Sequence, residues 1–276
     1  MRIAIVQLNL NQYINYSDFY KHMENLVKEA KEKNSDLIAF PEDINLCVLW
    51  TKYDRFGAKS IKPVLEHVFE FLITKFNLSW MTSLIATENQ KDIIESTFSK
   101  LSKEYNINIC SGSYYEKIDD KLYNVCSFYD RDGNLIDKRF KYKLVGIEKA
   151  WGVKGVYNPV PVLIDDTKVG LAICFDVNDS KYIKDLVENG TEVILVPSNG
   201  YRIFPWYPFD ESKETPHRDR AFENNVPILR PYCCGWLFPG LYFRGSSEIV
   251  NKKGLVLAKP ISKDKEEILY FNMEDA

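Results

Sequence analysis

Val169-Gly170-Leu171-Ala172-Ile173-Cys174-Phe175-Asp176 is a short, uninterrupted apolar run that ends in a thiol and then a carboxylate. A run of this length reads as a buried strand, so Cys174 leaves the strand where a tight turn begins. Open α/β sheets place their chemistry at such strand ends. Upstream, a second apolar strand, Leu37-Ile38-Ala39-Phe40, ends in Pro41-Glu42. Between the two, a third strand runs into Arg139-Phe140-Lys141-Tyr142-Lys143-Leu144. A carboxylate, an amine and a thiol therefore sit on or just beyond three strands, and we read Glu42, Lys141 and Cys174 as one nucleophilic site.

Strand-like runs recur at 2–9, 37–40, 107–112, 122–129, 135–143, 161–164, 169–175, 193–197, 228–234, 241–250, 254–258 and 267–272. Helix-period segments fall between them, near 17–33, 61–76, 92–105, 180–189 and 214–225. Strands interleaved with helices, plus a meander turning through Asp130-Arg131-Asp132-Gly133-Asn134, argue for an α/β fold with a mixed sheet layered by helices. Two such sheets packed face to face fit the strand count. The 276 residues suit one α/β domain or two, and we read one, over 1–276. In the long stretch after Glu42, Ser60 can cap a helix with Pro63 in its first turn. Ile61, Val64, Leu65, Val68, Leu72 and Phe76 recur there at helical spacing, which suits a core-facing or dimer-facing helix, a lid, or an apolar acyl-binding surface.

Composition narrows the function. Net charge is −3 and basic residues alternate with acidic ones, so there is no electrostatic footprint for nucleic acid or for an anionic membrane. No leader-like segment and no apolar run of about 18 residues is visible. The six cysteines form no CxxC pair and no regular disulfide spacing, from which a reduced, cytoplasmic protein is expected. Three scattered histidines, His22, His67 and His217, make a zinc site an unattractive expectation.

A cysteine attacks as its thiolate, and an unperturbed thiol has a pKa of about 8.5, so Cys174 needs a neighbouring base or cation. Glu42 can serve as the base and Lys141 as the cation. The lysine ammonium and the backbone N–H of Phe175 would then stabilise the oxyanion of a tetrahedral intermediate. Glu148 can hold the lysine or orient substrate. Lys143, two residues on from Lys141, is expected on the same strand face, placing a second charge near the site or at its rim. Ser198-Asn199-Gly200-Tyr201 opens an aromatic, proline-rich loop that can wall a substrate pocket or pack on the surface. Cys233 and Cys234 are read as core, one on each face of a strand.

These residues resemble the nitrilase, or carbon-nitrogen hydrolase, superfamily. The resemblance runs in order through MRIAIVQLN, DLIAFPE, YNVCSFYDRDGNLIDKRFKYKL, VGLAICFD, GTEVILVPS, RDRAFENNVP and FRGSSEIVNKKG, and weakens only over a segment read as an atypical helical insertion at about 43–95. It implies a four-layer αββα sandwich of two mixed sheets flanked by helices, no metal or organic cofactor, and a homodimer or larger homo-oligomer. It also implies a Glu-Lys-Cys triad falling on Glu42, Lys141 and Cys174, with Glu148 as the supporting glutamate and Asn199 and Tyr201 nearest the nucleophile on the substrate side. The triad lysine lies eight residues after Gly133, at Lys141; the histidine usual two positions later is here Lys143. Arg220 and Glu223 match a signature that supports the fold. Cys174-Phe175-Asp176 is similar to amidases rather than to nitrile-splitting members. The expected activity is therefore hydrolysis of a small-molecule amide through a cysteine acyl-enzyme.

Rival readings are a soluble N-acyltransferase using the same acyl-enzyme, a non-catalytic binding or scaffold homologue, and a papain-like pair of Cys174 with His217 as base.

Overall fold

The computed structural model describes residues 1–10, 13, 15–49, 86–203, 215–238 and 241–276. Strand β1, Arg2–Asn9, shows how the layers arise. Its side chains alternate: Ile3 and Ile5 enter one apolar cluster, while Ala4, Val6 and Leu8 enter another. With a period of two, each set faces one side of the sheet, so this strand is buried on both faces.

On one side lie helix α1 (Tyr16–Glu32) and helix α2 (Glu88–Tyr105). In α1, Phe19, Met23, Leu26, Val27 and Ala30 make one buried stripe, and the Asn15 side chain caps the helix by accepting from Asp18 N at 2.9 Å. Helix α2 opens with a reciprocal Thr87–Gln90 capping box and closes at Asn106 in the left-handed region.

The sheet beneath them contains, among the described residues, β2 (Leu37–Ala39), β3 (Asn108–Ile118), β4 (Lys121–Tyr129), β5 (Leu135–Phe140), β9 (Tyr201–Ile203), β11 (Tyr232–Phe238), β12 (Leu241–Phe243) and β15 (Glu267–Asn272) with β1. Its order is β5-β4-β3-β2-β1-β11-β12-β9, with β15 also paired to β1. The second sheet runs β14-β13-β10-β8-β7-β6, from β6 (Val162–Ile164), β7 (Thr167–Leu171), β8 (Val193–Leu195), β10 (Ile228–Arg230), β13 (Glu248–Val250) and β14 (Val256–Ala258). Ile3, Ile5, Cys110 and Phe128 of the first sheet pack on Val169, Leu171, Val193 and Ile249 of the second. The outer face of the second sheet is covered by α4 (Ser180–Glu188) and α5 (Pro216–Asn224), through Tyr182, Ile183, Leu186 and Ala221. The order of layers is helix, sheet, sheet, helix, as the αββα expectation required.

Several boundaries differ from the sequence reading. The run 228–234 is two strands in two sheets: Pro231, which has no N–H to give to a ladder, separates β10 from β11. The run 241–250 likewise divides into β12 and β13, which lie in different sheets. The run 135–143 stops at Phe140, and a short helix α3 (Gly146–Ala150) follows where none was expected. Strand β3 continues past 112 through a bulge at Gly112. Part of the aromatic stretch after Ser198 is strand β9 rather than loop. The 61–76 helix, and with it most of the insertion read at 43–95, lies outside the described residues, as do 204–209 of the aromatic stretch. Cys233 and Cys234 are both fully buried. Among the described residues no helix is long and apolar enough to cross a membrane.

Candidate active site

Glu42 follows β2 by a three-residue extension that β3 holds in place. Phe40 N donates to Cys110 O at 3.0 Å, and Ser113 N donates to Pro41 O at 3.1 Å. The bulge between these two bonds is what lets them form. Gly112 sits at φ +72°, and a Cβ there would lie 2.0 Å from Pro41 O. Lys141 comes next after β5, with its N–H donating to Asn124 O on β4 at 2.9 Å. Glu148 lies in the first turn of α3, where its Oε2 accepts from Val145 N at 2.9 Å.

These three side chains meet. Lys141 Nζ is 2.7 Å from Glu42 Oε1 and 2.9 Å from Glu148 Oε2, and the three residues are 2%, 3% and 1% exposed. Glu42 Oε2 accepts from Asn199 N at 3.1 Å, and Glu148 Oε1 accepts from Tyr115 OH at 3.3 Å. Asn124 Nδ2 donates to Glu42 Oε1 at 3.2 Å and to Glu148 Oε1 at 2.9 Å. Burial alone would push the lysine down, but the facing Glu42, Cys174 and Glu148 outweigh it and hold the ammonium well above its ordinary value.

Cys174 stands three residues beyond β7, at φ +49°, a left-handed conformation that a side chain adopts only under constraint. Its N–H donates to Pro197 O at 2.8 Å, and its Sγ lies 3.6 Å from Asn199 O. Burial first, and the Glu42 charge second, push the thiol well above its ordinary value, against a downward pull from Lys141.

Asp176 locks this turn to the lysine segment. It is fully buried; Oδ2 accepts from Ile173 N at 2.9 Å, and Oδ1 accepts from Tyr142 N at 3.0 Å and Lys143 N at 2.6 Å. Burial pushes Asp176 up to about 7, against the three N–H donors that favour its charged form. Asp43, at φ +63°, places a further carboxyl beside Glu42, with Oδ2 accepting from Asn199 Nδ2 at 3.0 Å. Burial and then the Glu42 charge push it up to about 8.

Of the residues read from sequence, Glu42, Lys141, Glu148 and Cys174 converge, and Asn199 touches both Glu42 and Cys174. Phe175 keeps a half-open side chain, 42% exposed, beside the nucleophile. The side chain of Tyr201 lies outside the described residues. Lys143 corrects its expectation: with β5 ending at Phe140 it does not share a strand face with Lys141, and its ammonium is exposed and paired with Asp179 at 3.0 Å. The papain-like pairing is not formed: the groups facing the Cys174 thiol are Glu42, Lys141 and Asn199, whereas His217 Nε2 pairs with Glu248 at 2.8 Å, which Arg218 binds as well. Arg220 pairs with Glu223 and reaches Asn178 O at 3.5 Å, a structural use. Asn124, Asp43 and Asp176 were missed as site members. Asn124 was the most findable, being an amide inside the buried run Leu122-Tyr123-Asn124-Val125-Cys126, where strand propensity favours other residues. Among the described residues no group of three or more His, Cys, Asp or Glu side chains could hold a metal ion.

The carbon-nitrogen hydrolase family model matches residues 2–274. The chain belongs to the carbon-nitrogen hydrolase family. This carbon-nitrogen hydrolase is similar to an omega-amidase of Mus musculus, 25% identical over 99% of this chain and 88% of that protein. It is also similar to a probable hydrolase of Bacillus subtilis, 22% identical over 71% of this chain but only 34% of that longer protein. In fold it resembles a carbon-nitrogen hydrolase from Helicobacter pylori, with a TM-score of 0.75 at 19% identity over 100% of this chain and 91% of that one. An amidase from Nesterenkonia sp. gives 0.73 at 19% identity over 100% and 96%; in that structure, of a glutamate-to-glutamine variant, acrylamide has added to the active-site cysteine.

Proposed function

We propose that this carbon-nitrogen hydrolase cleaves a linear, non-peptide amide of a small molecule through a thioester on Cys174, releasing a carboxylic acid and ammonia or an amine. The observation that carries the reading is a thiol and a carboxylate that share Asn199, beside a buried ammonium held between two carboxylates. The turn Cys174-Phe175-Asp176 and the amidase relatives favour an amide over a nitrile.

In this mechanism Glu42 takes the Sγ proton as sulfur attacks the carbonyl carbon. The carbonyl π electrons move to oxygen, where the Lys141 ammonium and the Phe175 N–H meet the developing charge. In the same turn the Cys174 and Asp176 N–H groups are already given to Pro197 O and Ile173 O. Collapse breaks the C–N bond, and Glu42 gives its proton to the departing nitrogen. A water then attacks the thioester, losing a proton to Glu42. The C–S bond breaks as the acid leaves, and sulfur regains the proton from Glu42. Every proton is returned. Glu148 holds the lysine, and Asn199 lines the acyl side.

Intact mass spectrometry of wild type and Cys174→Ala, with ammonia release measured beside it, tests this over a panel of aliphatic, aromatic and N-carbamoyl amides. An acyl mass and ammonia from wild type alone are the expected result. Turnover retained by Cys174→Ala would sink the mechanism. Amide formation outpacing hydrolysis when an amine is supplied would replace hydrolysis by acyl transfer.

A further inference from the structure

We infer that Asn124 is a positioning residue of this site, its side-chain amide holding Glu42 and Glu148 in the arrangement that flanks Lys141; the inference rests on the proposed thiol mechanism. Asn124 is fully buried, and its Nδ2 reaches Glu148 Oε1 at 2.9 Å and Glu42 Oε1 at 3.2 Å. An amide nitrogen has two N–H bonds, one for each carboxylate. Lys141 Nζ bridges the same two carboxylates at 2.7 and 2.9 Å, so the four side chains close a ring. The backbone carbonyl of Asn124 also accepts the Lys141 N–H at 2.9 Å, so one residue fixes the lysine's backbone and both carboxylate heads.

The amide orientation is dictated by its neighbours, because rotating it would set a carbonyl oxygen against two carboxylates. That orientation leaves Oδ1 buried without a partner. An apolar side chain of similar size would avoid that cost. The fold tolerates it where the two N–H donors serve the charged groups. Without them, two carboxylates share one ammonium, and their repulsion separates them or draws a proton onto one.

The test compares wild type, Asn124→Leu and Asn124→Asp, with Cys174→Ala as the blank. Alkylation of Cys174 by iodoacetamide is followed by intact mass across the neutral pH range, with amide kinetics measured in parallel. For Asn124→Leu the expected result is alkylation slowed by ~10-fold and its acid limb moved up by ~1 pH unit. In parallel kcat should fall by roughly 10- to 100-fold with KM changed by less than about twofold. Asn124→Asp keeps the shape and decides the matter should the leucine variant not fold. Its alkylation rate relative to wild type should rise as pH falls, because the carboxyl group it introduces regains a donor once protonated. A folded variant with the wild-type alkylation profile overturns the inference and leaves the amidase reading standing. Wild type inert to every amide, with alkylation still dependent on position 124, overturns the amidase reading and leaves this one.

Discussion

Lys141 is the residue on which the site's electrostatics turn. Its ammonium is 2% exposed and is shared by Glu42 and Glu148, so removing it leaves two buried carboxylates facing each other. Breaking a buried ion pair from one side costs about 3–5 kcal/mol. Lys141→Met should therefore lower the urea midpoint by that equivalent and abolish amide turnover. Lys141→Arg should restore neither, since a planar guanidinium does not fit the slot of a compact ammonium. At this scale Glu42, Lys141, Glu148 and Cys174 were legible, because an ionisable group directly after an apolar run is visible in one dimension. Asn124 was not. An amide inside a buried strand run marks it as unusual, but its meaning comes from two carboxylates 82 and 24 positions away. Lys143 was misplaced for the converse reason: period-two alternation holds only while the strand continues, and β5 ends at Phe140.

Between elements, two contacts aim the site. The Gly112 bulge admits Pro41 O, and any Cβ at that position must displace the loop carrying Glu42. Gly112→Ala should cost about 1–3 kcal/mol from the positive φ alone. It should also lower kcat more than it raises KM, because Glu42 is moved and not removed; thermal denaturation and steady-state kinetics read the two effects. Asp176 joins the nucleophile turn to the segment after β5 through three backbone N–H groups. Asp176→Ala orphans all three donors, and each costs about 1–3 kcal/mol where water cannot reach it. The expected outcome is a clear loss of melting temperature together with slower alkylation of Cys174. A wild-type melting curve for this variant would show that water replaces the carboxylate. The strand existences were readable from periodicity, whereas the sheet to which each belongs was not. The run 228–234 looks continuous, and only the packing shows Ile228–Arg230 in one sheet and Tyr232–Phe238 in the other.

Across the whole molecule, His217 and Glu248 make folding sensitive to acid. Burial pushes His217 from 6.5 down to about 4. As pH falls below 6.5, the unfolded chain binds a proton that the native state refuses, so stability is lost from pH 6.5 to about 4. Burial would raise Glu248, but His217 and Arg218 overrule it and bring the group from 4.5 down to about 2. Its contribution is present above pH 4.5 and is lost as pH falls toward 2. The two share a hydrogen bond, so together they amount to roughly 3 kcal/mol rather than twice that. Urea midpoints at a series of pH values should fall from neutral to acid in wild type, and His217→Gln should flatten the upper part of that fall. By itself the sequence determined most strand and helix positions, the α/β class and four candidate site residues, because apolar periodicity and strand-end polar groups are local properties of the chain. Only the tertiary structure decided which strands share a sheet, that Asn124 and Asp176 reach the candidate site and that His217 pairs with Glu248. Those facts depend on distances between residues remote in sequence, which backbone hydrogen bonding and the packing of two sheets set together.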